Sequence, residues 1–143
     1  MHAHTRRAFI GAALALAASA AFASATVGQP APAFTAVDTA GKAVSLADFK
    51  GRHVVLEWVN PGCPYVVKHY GSGNMQGTQR EAVAKGVVWL SVNSTAADSR
   101  DFRKPAEIAA WMQQQKAAAT ATLMDVDGQV GRAFGARTTP HLY

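Results

Sequence analysis

Cys63 is the single cysteine among 143 residues and the strongest nucleophile that the side chains offer. It stands in the run Asn60-Pro61-Gly62-Cys63-Pro64, with Lys68 and His69 five and six residues further on. A thiol attacks as its thiolate, so its chemistry depends on what favours the anion. Pro61, Gly62 and Pro64 mark a tight turn, and Pro64 suits the first position of a helix, where its missing N–H costs nothing. A cysteine at that point faces unpaired N–H groups and the positive end of the helix dipole, which both stabilise a thiolate. The competing reading is an inert cysteine placed for packing. Asn60 and Arg137 are candidate supports for the anion, as are Lys68 and His69. The last two are not one helical turn from Cys63 and suit a solvated helix face better, while Arg137 suits the surface equally well.

A lone thiol limits the mechanism. No disulfide can form within these 143 residues. Attack on a peroxide would leave a sulfenic acid, which an external thiol must clear through a mixed disulfide. His53, His69 and Cys63 are soft or borderline metal ligands, but no Cys-x-x-Cys or His-x-x-His spacing accompanies them. Gly71-Ser72-Gly73 lacks the strand before it and the lysine after it that a phosphate loop needs. No bound cofactor is expected.

Alternating strands and helices position the turn. Phe34–Asp38 and Ala43–Leu46 read as a β-hairpin closed by Thr39-Ala40-Gly41-Lys42. Ser45 can cap a brief helical turn through Phe49. His53–Asn60 is mostly apolar and β-branched, as a strand buried on both faces would be. A helix from Pro64 to about Tyr70 follows, then a second from Met75 to Lys85, capped by Asn74. Val87–Val92 reads as another buried strand. Pro105 opens a helix to about Ala118, Thr122–Met124 forms a strand, and Val130–Phe134 forms a short helix closed by Gly135. This order predicts an α/β fold on a largely parallel sheet. Trp58, Trp89 and Trp111 fall on faces where core packing is the default.

Residues 1–25 stand apart. Arg6-Arg7 precede an Ala/Leu-rich run from Gly11 to Ala23, and Ala23-Ser24-Ala25 fits the small-x-small rule for signal cleavage. The paired arginines resemble a twin-arginine export signal. The expected mature chain starts near Thr26, with an alternative cut after Ala23. The apolar run is too short and too rich in small residues for stable membrane insertion. Without these residues, 12 basic side chains face 9 acidic ones, a balance of +3. That charge is spread along the chain and argues against nucleic acid as a partner. One domain, residues 26–143, is expected in the periplasm or secreted.

The turn Trp58-Val59-Asn60-Pro61-Gly62-Cys63-Pro64-Tyr65-Val66 resembles the active-site turn of thioredoxin-fold proteins. The segments Val27–Phe34, Gly41-Lys42 and Leu46–Gly51 resemble the lead-in of the alkyl hydroperoxide reductase/thiol-specific antioxidant (redoxin) family, in its peroxiredoxin-like subgroup. Thr138-Thr139-Pro140 resembles the cis-proline loop that faces the cysteine in that fold. The resemblance implies a thioredoxin-like fold with an N-terminal hairpin extension and a cis Pro140. It also implies a site made of Cys63 with Asn60, Pro64, Arg137, Thr139 and Pro140 in support. The implied activity is reduction of a peroxide or a protein disulfide, with an external thiol as reductant. A complete fold of this kind adds two strands and a helix after the loop, so the resemblance implies a fragment ending at Tyr143.

Two departures separate this chain from the best-understood relatives. Val66 stands where Cys-x-x-Cys proteins carry their second cysteine. Leu56 and Asn60 stand where the Pro-x-x-x-Thr-x-x-Cys motif of peroxiredoxins carries Pro and Thr. A non-catalytic module that holds a peptide in the cis-proline groove, and a periplasmic copper-handling protein, are the rival expectations.

Overall fold

The computed structural model describes residues 25–143. The export signal read in the first 25 residues, Ala25 apart, lies outside the described residues. Ala25 itself donates its N–H to the Ala133 carbonyl at 2.9 Å.

Among the described residues, a six-stranded sheet forms the centre. The strands are β1 (Thr35–Asp38), β2 (Ala43–Ser45), β3 (Val54–Trp58), β4 (Val88–Asn93), β5 (Ala121–Met124) and β6 (His141–Leu142), and they lie side by side in the order β2-β1-β5-β4-β3-β6. The helices are α1 (Pro64–Gly71), α2 (Asn74–Ala84), α3 (Pro105–Gln114) and α4 (Gln129–Phe134). The sheet is mixed rather than largely parallel. Only β3–β4 and β4–β5 run parallel, while β1–β2, β1–β5 and β3–β6 are antiparallel. The parallel pairs are those joined by helical crossovers, and the tight turn between β1 and β2 forces their reversal.

Side-chain alternation along β3 and β4 divides the sheet into two faces. Leu56, Trp58, Val88, Leu90 and Val92 point to one face, under Val130, Ala133 and Phe134 of α4. Trp89 points to the other, under Val66 and Tyr70 of α1, Met75 of α2, and Ile108 and Met112 of α3. Trp58 and Trp89 are buried as expected, and Trp111 is half-buried, its ring 4.8 Å from that of Tyr70.

Two local expectations are corrected. Asn74 does not cap α2: Gly73 does, in the left-handed region at φ 75°, and the Asn74 amide bonds the His69 ring at 2.9 Å. The cap needs a positive φ, which glycine adopts freely. Helix α3 stops at Gln114 and does not reach Ala118. Lys116 turns left-handed at φ 53°. The Gln115 carbonyl then accepts from Gln76, and the Ala118 N–H donates to Gln79. Bonds to α2 thus outweigh the helix propensity of the alanine run. Ser45 does cap the turn Leu46–Phe49, with Asp48 closing the box.

Candidate active site

Strand β3 delivers the chain to the turn. The Val59 N–H still pairs with the Val92 carbonyl, and then Asn60 redirects the backbone. Its side-chain oxygen accepts the Gly62 N–H at 2.8 Å, and its carbonyl accepts the Cys63 N–H at 3.0 Å. A side chain at Gly62 would meet that Asn60 oxygen at 3.4 Å and the Asp101 carboxylate at 3.8 Å. Asn60 therefore shapes the turn, and its side-chain oxygen faces an amide, not the sulfur.

Cys63 is the N-cap residue of α1, in extended conformation at φ −79°, ψ 124°. Pro64 follows at the first helical position, as read from the sequence, and brings no N–H. Tyr65 and Val66 therefore supply the nearest free amides. Across the turn, the Thr139–Pro140 peptide bond is cis. The Cys63 thiol donates to the Thr139 carbonyl at 3.0 Å. Burial pushes the thiol upward. Hydrogen bonds from the Thr139 side chain and from the Val66 and Tyr65 amides outweigh it, and Cys63 lies below the ordinary value of 9.0. Thr139 thus meets the sulfur in two ways: its carbonyl holds the thiol proton, and its side chain favours the anion left when the proton goes.

The other candidate supports lie elsewhere. Lys68 is exposed on α1, and His69 is bonded to Asn74. Arg137 is exposed and forms no hydrogen bond to Cys63; it lines a neighbouring cleft of about 270 Å³ with Trp58, Ser94, Ala136, Thr138 and Thr139. A larger cleft of about 590 Å³, between β1 and the start of α4, does not include the thiol. Among the described residues, no group of three or more His, Cys, Asp or Glu side chains could hold a metal ion. Nor is any helix among them long and apolar enough to cross a membrane. Val66, at the position of a second cysteine in Cys-x-x-Cys proteins, is fully buried.

One polar centre was hidden inside a strand reading. Glu57 is 0% exposed. Its carboxylate accepts from the Tyr70 hydroxyl at 2.8 Å, the Gln79 amide at 2.9 Å, the Trp89 indole at 2.7 Å and the Ser91 hydroxyl at 3.2 Å. Burial and then the Glu57 charge push the Tyr70 phenol up, so it stays a donor. The one sequence signal was a carboxylate in an apolar run, since a buried charge needs partners.

A second carboxylate, Asp125, stabilises the start of α4. It accepts the Val130 and Gly131 amides and the Ser94 hydroxyl, and Ser94 in turn accepts the Trp58 indole N–H at 2.9 Å.

Comparisons with known proteins agree with this architecture. The model of the AhpC/TSA family matches residues 27–143. No curated protein sequence matches the chain. Among solved structures, a hypothetical protein of Sinorhizobium meliloti is similar with a TM-score of 0.73 at 23% identity, covering 84% of this chain. The chain spans 64% of that protein's length. The thioredoxin domain of a thiol-disulfide oxidoreductase from Bacteroides vulgatus is similar with a TM-score of 0.61 at 24% identity, covering 83% of this chain and 80% of its own. A secreted disulfide oxidoreductase of Mycobacterium tuberculosis is similar with a TM-score of 0.60 at 20% identity, covering 76% of this chain and 72% of its own.

Proposed function

The chain belongs to the AhpC/TSA family and has a thioredoxin-like fold, and from that premise we propose that it is an exported thiol-dependent oxidoreductase acting through Cys63. The observation that carries the reading is the Cys63 thiol at the N-cap of α1. It lies 3.0 Å from the Thr139 carbonyl, beside the cis Thr139–Pro140 bond, with a lowered pKa. That arrangement makes a nucleophilic sulfur at the surface of a rigid turn.

The chemistry is displacement at a weak O–O or S–S bond. With a peroxide, the thiolate takes the terminal oxygen, the O–O bond breaks, and the leaving alkoxide or hydroxide takes a proton. Cys63 becomes a sulfenic acid. With a disulfide, the thiolate forms a new S–S bond and expels the other sulfur as a thiolate. In both cases a thiol from outside this turn must return Cys63 to its reduced state, because Val66 offers no second sulfur. The Tyr65 and Val66 amides steady the anion before attack. Export rests on the arginine pair and apolar run near the N-terminus, and accords with the secreted oxidoreductase among the structural neighbours.

The test is direct. Treated with hydrogen peroxide or a small disulfide, the protein is expected to gain a dimedone-trappable sulfenic acid or a mixed disulfide at Cys63, released by added thiol. Intact-mass spectra showing neither adduct would overturn the reading.

A further inference from the structure

The cleft beside Thr139 has no part in the displacement step and does not include Cys63, but it adjoins the sulfur through Thr139. Thr139 lines it, and the Thr139 carbonyl bonds Cys63. The Trp58 indole and Ser94 hydroxyl of its lining are already satisfied. The Trp58 indole donates to Ser94, Ser94 donates to Asp125, and Asp125 also accepts two amides of α4. The charge of Asp125 is therefore spent inward. What remains on the wall is the Arg137 guanidinium, which has no hydrogen-bond or ion-pair partner among the described residues. Thr138 and Thr139 line the same cleft. At about 270 Å³ the cleft is smaller than pockets for drug-sized ligands, which start near 300 Å³.

We infer that this cleft binds the reductant, and that the reductant is a small thiol carrying a carboxylate. The inference rests on the oxidoreductase reading of Cys63 and specifies its second substrate. A guanidinium with free donors matches a carboxylate through two parallel hydrogen bonds. Held there, a short thiol brings its sulfur to the Thr139 edge of the cleft, against Cys63. Its sulfur attacks the oxidised Cys63: a sulfenic acid loses its oxygen as water, and an S–S bond joins Cys63 to the thiol. A second thiol then attacks the sulfur of the first. The small disulfide departs, Cys63 leaves as its thiolate, and two thiols have supplied the two electrons.

Two probes of similar size separate the carboxylate from the thiol, mercaptopropionate and the uncharged mercaptoethanol. The readout is the ratio of their rate constants for clearing oxidised Cys63, together with the ratio for the reverse reaction of reduced Cys63 with the corresponding disulfides. Comparing variants by this ratio cancels the intrinsic reactivity of each thiol. Arg137→Ala is expected to lower the ratio about fivefold, the range of a partly screened charge pair, and Arg137→Lys to keep part of it. Arg80→Ala, which removes the same charge from the exposed side of α2, should leave the ratio unchanged. An unchanged ratio in Arg137→Ala, or an equal loss in Arg80→Ala, overturns the cleft assignment while Cys63 still reacts. No adduct with either disulfide and no oxidation by peroxide overturns the oxidoreductase reading itself.

Discussion

Glu57 and Cys63 stand six residues apart, one inside β3 and one just beyond its end. Both can carry a negative charge, and the fold treats them in opposite ways. Glu57 is sealed and accepts four hydrogen bonds from Tyr70, Gln79, Trp89 and Ser91. Cys63 is half-buried, and its proton rests on one carbonyl. A saturated charge in a dry interior is held still, because every displacement breaks a bond that no water can replace. A lightly held sulfur at a turn is free to exchange its partner for a substrate. The same stretch of chain thus carries an anchor and the proposed reactive group, and substitutions should affect stability at one and reactivity at the other.

The largest expected effect is at the sulfur. Cys63→Ser should abolish adduct formation and all thiol-dependent turnover, while the unfolding free energy moves by no more than about 0.5 kcal/mol. Mass spectrometry and urea titration read the two quantities. A loss of several kcal/mol would show that Cys63 is an anchor too.

Glu57→Ala reverses the pattern. Four donors lose their acceptor, at an expected cost of about 3 kcal/mol or more. That is a large share of the roughly 5–15 kcal/mol that holds a domain of this size together. The alkylation rate of Cys63 in the folded fraction should stay near that of the parent. If the rate falls with stability unchanged, the contrast between the two sites collapses.

Tyr70→Phe removes one of the four donors and should cost about 1 kcal/mol, a graded version of the same effect. Thr139→Val sharpens the other side. Cys63 is held below 9.0, so its alkylation rate should rise with pH through a midpoint below that value. Removing the Thr139 hydroxyl takes a donor from the thiolate, and the midpoint should move upward. In linkage terms, a depressed thiol pKa adds stability above the unfolded-state value, and that stability is lost as pH falls through the folded one. The pH dependence of stability should accordingly flatten in Thr139→Val.

Most of the scaffold could be read from local pattern. Pro64 at a helix start, Gly135 at a helix end and the Ser45 cap each follow from neighbours within a few residues. The hairpin, the buried β3 and β4 and the Thr139–Pro140 loop were legible from short motifs as well. The Glu57 centre was not, because its donors lie 13, 22, 32 and 34 residues away along the chain. The end of α3 escaped for the same reason, since Gln76 and Gln79 on α2 draw off its last backbone groups. Arg137 could be picked out as a cation near the loop. Its place in the wall of a cleft with Trp58, Ser94 and Thr139 needed the packing of those residues.

Val66 is 0% exposed and is a plain hydrocarbon where a second sulfur would stand. A protein with two sulfurs there can discharge a trapped partner by itself, within its own cycle. On the thiol chemistry proposed above, a partner bound at Cys63 waits for a sulfur from outside this turn. The occupied fraction then records how scarce such sulfurs are. Val66 would give the proposed reaction a clock that runs at the pace of their supply.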